Sequence, residues 1–242
     1  MGTVVSIELA DDQPPEQLRD MIAEVCDWLH EVDRRFSTYK AESEVCRLQR
    51  GEITLAGCSP DMRHVLDVCA DLWRDTDGYF DAYAGGSLDP SGYVKGWSVE
   101  VASARLADAG STRHYINAGG DIRMRGGNPD GEPWRVGIRH PWEADKISWV
   151  LAVTEGAVAT SGTYERGHHV VNPRTGKPAR GLRSVTVVGP DLSMADAYAT
   201  AALAMGEAGI SWLAQRAADG YQSAVVTDDG RAFSSANLPA AV

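Results

Sequence analysis

The chain has 242 residues and a formal net charge of −11, because 34 Asp and Glu outnumber 23 Lys and Arg. No run of Lys and Arg exceeds two residues. This argues against binding to nucleic acid or to an anionic membrane, since both need clustered cations. Hydrophobic residues make up 43% of the chain, enough for an ordinary core. No apolar stretch approaches the ~20 residues that cross a bilayer, so we expect a globular protein without a transmembrane segment.

The cysteines and the N-terminus bear on the cellular compartment. Cys26, Cys46, Cys58 and Cys69 form no C-x-x-C pair, so a zinc site is not expected, and a chain of this size needs no disulfide framework. Residues 1–5 have neither the basic segment nor the apolar run of a secretory signal. These observations predict a cytoplasmic protein.

The first 110 residues predict one strand followed by helices. A β-rich run opens the chain, and apolar residues then recur every three or four positions after Pro14-Pro15. Ser59-Pro60 is typical of a helix start, and Gly78 lies past the end of that helix. A turn-rich loop at 82–92 precedes a further helix that ends at Gly110. The predicted elements are a strand at 3–9 and helices at 15–36, 60–77 and about 94–109.

After residue 110 the pattern becomes strand-like, with short β-rich runs separated by Gly, Asn and Pro. Helices and strands do not alternate regularly, which argues against a doubly wound parallel sheet. We predict an α+β fold, with mixed or antiparallel sheets and packed helices, as a single compact unit over residues 1–242. The predicted elements are strands at 113–117, 121–125, 134–139, 147–154, 156–160, 168–171 and 184–189, helices at 194–205 and 207–219, and a hairpin at 222–227 and 231–234.

Two glycine-containing segments could approach a phosphate. Residues 117–121 (NAGGD) place Gly119 and Gly120 between two predicted strands, where backbone N–H groups could face a pyrophosphate. A tight turn that needs positive φ explains the same pair. Residues 89–96 (DPSGYVKG) place a carboxylate and a lysine at a helix start, which attracts phosphate but is also an ordinary entry turn.

A third segment combines a carboxylate with a hydroxyl. Asp196 and Thr200 are four residues apart on a predicted helix, so both oxygens project from one face. That arrangement suits a hard cation such as Mg²⁺. Alternatively, Ser193 and Asp196 form a near capping box, and Thr200 bonds back to a helix carbonyl. Both interpretations stay open on this segment alone.

Residues 160–176 hold hydroxyls and histidines. A histidine beside a strand could act as a general base near neutral pH, although most such histidines are solvated bystanders. Ser161 lacks the G-x-S-x-G context of a hydrolase nucleophile. A zinc site formed by Glu165, His168 and His169 is weaker still, because adjacent histidines point in different directions.

The order of these segments is more specific than any one of them. It resembles the ApbE family of FAD:protein FMN transferases from residue 1 to about 206. The motifs are MGT at 1–3, FSTY at 36–39, GYFD at 78–81, DPSGYVKG at 89–96, NAGGD at 117–121, TSG at 160–162, HVVNPRTG at 169–176 and ADAYAT at 195–200.

The resemblance implies an enzyme that binds FAD and Mg²⁺, cleaves the pyrophosphate, and transfers FMN to a Thr or Ser hydroxyl of an acceptor protein with release of AMP. It implies a catalytic role for His169 and allows the backbone at Gly119 and Gly120 to approach the dinucleotide. The implied Mg²⁺ ligands are Asp196, Thr200 and the carbonyl of Gly92. The implied FAD contacts are Met1, Tyr39, Tyr79, Phe80, Asp81, Asp89, Lys95, Val170 and Val171.

Several positions depart from the family pattern. Asn172 and Glu100 stand where Asp is common, and Ala199 stands where some members have a second carboxylate. The 82–88 loop is shorter than in longer members. The chain also begins inside the first motif, which leaves an exported or membrane-anchored form open. Residues 159–163 lack the leading Asp and the Ala-Thr end of a family acceptor, so we expect the acceptor to be another protein.

Three other functions remain as alternatives. An Mg²⁺-dependent FAD pyrophosphatase would use the same site with water in place of the acceptor. A catalytically weak flavin-binding protein would fit the departures at Ala199 and Asn172 and the short 82–88 loop. If the protein were a structural domain without a ligand, each motif would serve only to form a turn. That hypothesis leaves the histidine, the lysine and the carboxylate–hydroxyl pair unexplained.

Overall fold

The computed structural model describes residues 2–163 and 170–241. Within them, helices cover one face of a seven-stranded sheet and a β-hairpin covers the other face. The helices are α1 Pro15–Phe36, α2 Glu44–Gln49, α3 Pro60–Asp75, α4 Ser91–Asp108, α5 Leu192–Met205 and α6 Ala208–Gln215. The strands are β1 Val5–Leu9, β2 His114–Ala118, β3 Asp121–Arg125, β4 Trp134–Arg139, β5 Ile147–Val153, β6 Gly156–Gly162, β7 Val171–Asn172, β8 Lys177–Pro178, β9 Leu182–Gly189, β10 Gln222–Thr227 and β11 Ala232–Ser234.

The main sheet is antiparallel throughout, in the order β1-β2-β3-β6-β9-β10-β11 for the described strands. Alternation along each strand sends neighbouring side chains to opposite faces. In β6, Ala157 and Ala159 face the helices, whereas Val158 faces the hairpin formed by β4 and β5. The sheet therefore separates a large core under the helices from a smaller core under the hairpin.

Helices α1 and α3 follow the apolar periodicity of the sequence. α1 begins with Pro15 in its first turn and buries residues at three- and four-residue spacing. Ser59 caps α3 by accepting a hydrogen bond from Met62 N. α1 packs on α4 through Trp28, whose Nε1 donates to Ser98 O over 2.8 Å.

Helix α5 differs from the other helices because it is buried on nearly all sides. Its sequence, LSMADAYATAALAM, has no polar face, and small alanines let neighbouring elements approach closely. α5 lies between α4 and the strands β6 and β9. Polar side chains on α5 must therefore find partners inside the protein.

The α+β prediction is confirmed, and most predicted elements lie within a few residues of their observed bounds. α4 begins at Ser91, three residues before the predicted start. The short helix α2, capped by Ser43, was not predicted because six residues are too few to establish a helical period. The predicted strand at 168–171 lies partly outside the described residues. In the described part of this region, the structure has the short strand Val171–Asn172.

Two expectations drawn from composition can be compared with the structure. The four cysteines, expected to need no disulfide framework, are free thiols in the structure. Among the residues that the structure describes, no helix has both the length and the apolar character needed to cross a membrane.

Candidate active site

A cleft of about 500 Å³ opens where α4, α5 and the end of β6 meet the segment around residues 79–89. Most of the residues singled out in the sequence lie on its walls. The predicted site residues that line it are Tyr39, Tyr79, Phe80, Asp81, Asp89, Gly92, Lys95, Gly119, Val170, Val171, Asp196 and Thr200.

Close packing of α4 on α5 forms the base of this cleft. Gly96 N donates to Asp196 Oδ2 over 3.0 Å. A Cβ atom at position 96 would lie 2.5 Å from Leu192 O and 2.9 Å from Asp196 Cβ, closer than real Cβ contacts. Only glycine lets the two helices meet here, and this contact fixes the carboxylate of Asp196.

Two buried carboxylates share one ammonium group beside this contact. Lys95 Nζ lies 2.5 Å from Asp121 Oδ2 and 3.7 Å from Asp196 Oδ1. The Asp121 and Asp196 side chains are almost fully buried, while that of Lys95 is 27% exposed toward the cleft. With both carboxylates ionised, the three groups carry a net negative charge.

Burial and the neighbouring Asp121 charge raise the pKa of Asp196 well above its ordinary value, with the Lys95 charge and the Gly96 N–H acting in the opposite direction. Within the described part of the chain, Asp121 Oδ2 accepts no hydrogen bond, although the ammonium of Lys95 lies beside it. An under-compensated negative charge of this kind favours an additional cation.

Other residues with oxygen atoms line the same cleft. Thr200 Oγ1 lies 3.3 Å from Ser161 Oγ. A Cβ atom built on Gly92 would lie 3.5 Å from Thr200 Cγ2, so the first turn of α4 faces Thr200 directly. A carboxylate, hydroxyls and a nearby main-chain carbonyl are the donors that Mg²⁺ prefers. The donor set therefore fits a divalent cation. The described residues contain no group of three His, Cys, Asp or Glu side chains that could hold one without such neutral oxygens.

The alternative interpretation of this helix as a capping box is wrong. α5 begins at Leu192, and its cap is Asp191, whose side chain accepts from Met194 N over 2.9 Å. Asp196 lies inside the helix and bonds Gly96 of α4 instead. The Thr200 hydroxyl is paired with Ser161, on β6.

Aromatic groups form part of the opposite wall. Tyr39 is 98% exposed, whereas Phe80 is 3% exposed. The guanidinium of Arg174 lies 4.6 Å from the centre of the Tyr79 ring and also pairs with Asp77. These contacts link the 173–176 turn to the segment that follows α3.

Two acidic residues at the rim are used locally. Asp81 Oδ1 accepts from Tyr83 N over 2.8 Å, and Asp89 Oδ1 accepts from Ser91 N over 3.0 Å. Both residues also line the cleft.

The two predicted glycines have different positions. Gly119 lines the cleft, but a Cβ there would lie 2.3 Å from Thr3 Oγ1, so the close approach that it permits is to the N-terminal segment of the chain. Gly120 does not line the cleft as the described residues form it; its N–H donates to Asn117 Oδ1 over 2.9 Å. Both have positive φ, as the turn interpretation expects.

Met1 and His169 lie outside the described residues, so their predicted roles stay predictions. Gly2, next to Met1, and Val170, next to His169, both line the cleft.

Comparison with known proteins gives the same assignment as the motif order. A sequence model described as the ApbE family matches residues 1–88 and 83–224. The chain belongs to the ApbE family.

Curated members of the family are related to this chain over part of their length. The FAD:protein FMN transferase of Rhodobacter capsulatus is 35% identical over 162 residues, which cover 63% of this chain and 30% of that protein. The FAD:protein FMN transferase of Vibrio cholerae is 33% identical over 153 residues, covering 59% of this chain and 46% of that protein. The matched region therefore spans less than half of either relative.

Solved ApbE structures share the fold. The ApbE protein of Thermotoga maritima superposes with a TM-score of 0.88 at 22% identity, covering 97% of this chain and 94% of that one. The flavin transferase ApbE of Vibrio cholerae gives a TM-score of 0.83 at 24% identity, covering 98% and 94%.

The three residues at which this ApbE family member departs from the family pattern have structural surroundings of their own. Glu100 Oε2 accepts from Leu192 N over 2.8 Å, and its Oε1 pairs with Arg123 over 2.9 Å, so it ties the start of α5 to α4 and β3. Asn172 Oδ1 accepts from Arg174 N within the turn after β7. Ala199 is fully buried in the core.

Sequence reasoning missed Asp121 as a site residue of this ApbE family member. Asp121 belonged to the NAGGD motif, but only its glycines were given a role. The available signal was a carboxylate at the start of a predicted strand, in the sequence DIRMR. A carboxylate that becomes buried in such a strand needs a cationic partner. That partner, Lys95, is on a helix that the sequence alone does not place beside β3.

Proposed function

We propose that this protein is a divalent-cation-dependent FAD:protein FMN transferase, which moves FMN from FAD to a Thr or Ser hydroxyl of an acceptor protein and releases AMP. The observation that carries the proposal is the convergence of Lys95, Asp196 and Thr200 at the base of one cleft in an ApbE family member. The Rhodobacter and Vibrio relatives bear the name of this activity.

The chain offers separate groups for the two halves of FAD recognition. Tyr39, Tyr79 and Phe80 supply aromatic surface on the wall of the cleft, which suits a flat ring system. The ammonium of Lys95 supplies a positive charge at the base, where pyrophosphate oxygens would be drawn.

Asp196, Thr200 and the carbonyl of Gly92 would hold the divalent cation. Bound there, Mg²⁺ would neutralise charge on the pyrophosphate and on the departing AMP phosphate. The Gly96 N–H would hold the Asp196 carboxylate in one orientation, as a group behind a metal ligand does.

The transfer forms one bond and breaks another. The acceptor hydroxyl oxygen bonds to the phosphorus of the FMN half, and the bond from that phosphorus to the bridging oxygen breaks. The bridging oxygen leaves with AMP, and the hydroxyl proton passes to a base. We assign that base to His169; Gly162 and Val170, described residues on either side of the 164–169 segment, line the cleft.

Hydrolysis of FAD to FMN and AMP would use the same groups with water as the nucleophile. The two activities differ only in what enters the cleft, so the experiment must report both products. Protein, FAD and Mg²⁺ are incubated with a peptide that carries the Asp-x-x-Ser/Thr-Gly/Ser-Ala-Thr acceptor pattern. Mass spectrometry detects FMN on the peptide, and chromatography measures AMP. The matched control is the same peptide with its target Thr replaced by Val.

We expect FMN on the Thr peptide, none on the Val peptide, and AMP release that depends on the Thr peptide. Equal AMP release with both peptides and no adduct would instead establish a pyrophosphatase. No AMP under any condition would contradict both activities.

A further inference from the structure

Asp121 lies behind the base of the cleft and is not among the described residues that line it. Its side chain is fully buried at the start of β3. Oδ1 accepts a hydrogen bond from Thr160 N over 3.1 Å, which ties β3 to β6. Oδ2 accepts no hydrogen bond from the described residues and has the ammonium of Lys95 2.5 Å away. The carboxylate therefore has no direct contact with a ligand in the cleft, as the described residues form it.

The distances around Lys95 are unequal. Its Nζ atom is 2.5 Å from Asp121 but 3.7 Å from Asp196 Oδ1. Asp196 belongs to the cleft lining, whereas Asp121 lies behind it. The Lys95 ammonium thus contacts Asp121, which a ligand in the cleft cannot reach. It lies farther from Asp196, which a ligand can reach.

We propose that Asp121 is a positioning residue that draws the Lys95 ammonium away from Asp196 and so keeps Asp196 available to a divalent cation. The identity of that cation site rests on the proposed function. Asp121 itself need not contact the cation.

Electrostatics explains why this arrangement depends on the second carboxylate. An ammonium attached to α4 is a permanent competitor for Asp196, because it is held within a few ångströms by the chain itself. With the Asp121 charge present, the lysine has a closer partner. Without that charge, Asp196 becomes the nearest carboxylate to Lys95 among the residues that the structure describes, and the ammonium occupies the oxygen that the cation requires.

The test compares Asp121→Asn, Lys95→Met and the double variant by measuring the affinity for Mn²⁺ alone, without FAD or acceptor. Electron paramagnetic resonance of free Mn²⁺ or titration calorimetry gives the Kd. We expect Asp121→Asn to weaken binding about 10- to 100-fold, the range typical for residues behind metal ligands. Lys95→Met should bind Mn²⁺ at least as tightly as wild type. The double variant should recover most of the affinity that Asp121→Asn loses.

Recovery in the double variant is the readout that a merely structural role would not give. If the double variant binds Mn²⁺ no better than Asp121→Asn, Asp121 acts as a ligand or as a fold element and the proposal is wrong. Unchanged affinity in Asp121→Asn also overturns it. Should Asp121→Asn fail to fold, Lys95→Met alone decides, because weaker Mn²⁺ binding in that variant would show that Lys95 is no competitor.

Asp11→Asn is the matched control for the substitution. Asp11 is also a carboxylate that accepts backbone hydrogen bonds, but it holds Thr112 and Arg113 beside the opposite end of β2. Its variant should keep wild-type Mn²⁺ affinity. Thermal unfolding of every variant reports the fold. Because FAD is absent, failure of FMN transfer would leave this measurement and its outcome intact.

Discussion

Gly96 and Asp196, one hundred residues apart in the chain, are joined by a 3.0 Å hydrogen bond from the Gly96 N–H to Asp196 Oδ2. The bond exists because position 96 has no side chain, and a Cβ there would lie 2.5 Å from Leu192 O. The predicted metal ligand is thus fixed by a neighbouring helix rather than by its own.

Gly96→Ala should destabilise the protein and reduce its affinity for Mn²⁺. The added methyl group must push α4 from α5, and overpacking of this kind costs about 1–3 kcal/mol. Urea unfolding measures the change in free energy, and Mn²⁺ titration measures the site. Gly57→Ala is the control, because a Cβ there has only an ordinary 3.6 Å contact with Thr54 Oγ1. Equal stability of Gly96→Ala and wild type would show that the helices can separate without cost.

Asp196→Asn should abolish Mg²⁺-dependent turnover of FAD while the fold is retained. The amide oxygen can still accept from Gly96 N, but the negative charge that a divalent cation needs is gone. AMP release at increasing Mg²⁺ is the assay, with circular dichroism as the check on folding. Asp191→Ala, at the start of the same helix, removes only the cap and should cost about 1 kcal/mol of stability with turnover kept. Wild-type rates in Asp196→Asn would refute the metal assignment.

His169→Ala should leave FAD affinity near that of wild type and lower the transfer rate by about 10²- to 10⁴-fold, the usual contribution of a general base. Quenching of flavin fluorescence measures binding, and adduct formation on the acceptor peptide measures transfer. His168→Ala is the matched neighbour and should transfer FMN at a normal rate. The role of His169 as base fails if the two variants behave alike.

A buried histidine outside the cleft predicts a pH dependence of stability. His114 is fully buried at the start of β2, with Ser103 Oγ 2.7 Å from Nε2 and Ser111 Oγ 3.0 Å from Nδ1. Burial is the largest cause that lowers the pKa of His114, from 6.5 to about 4. Four charged residues also act on the ring. Arg125 and Arg123 lower its pKa, and Asp11 and Glu155 raise it.

The free energy of unfolding should fall as the pH drops from about 6.5 toward about 4. In this range His114 binds a proton in the unfolded chain but not in the folded protein. The slope from this one group reaches at most about 1.4 kcal/mol per pH unit within that window. Urea unfolding at several pH values measures it. In His114→Asn the slope should be smaller by this contribution. Parallel curves for variant and wild type would show that His114 does not titrate differently on folding.

The elements that the sequence predicted well are those whose pattern is local. The apolar period of α1, the Ser59 cap of α3 and the β-rich runs of the main sheet depend on neighbouring residues only, and each is found close to its expected place. The short α2 was missed because its period is too brief to detect.

In the candidate site, too, local features were predicted and long-range contacts were not. The four-residue spacing of Asp196 and Thr200 already placed both side chains on one face of a helix. No local sequence pattern could predict the partners of those side chains. Gly96 and Lys95 come from α4, and Ser161 comes from β6.

The sequence by itself determined the family, through motifs in a fixed order, and the residue types suited to phosphate and to a hard cation. Only the tertiary structure decided that Asp121 lies beside Lys95, that Gly120 is not among the described residues lining the cleft, and that Asp191 rather than Ser193 caps α5. The reason is physical: hydrogen bonds and charge pairs act over a few ångströms, and residues far apart in the chain reach that distance only when whole helices and strands pack together.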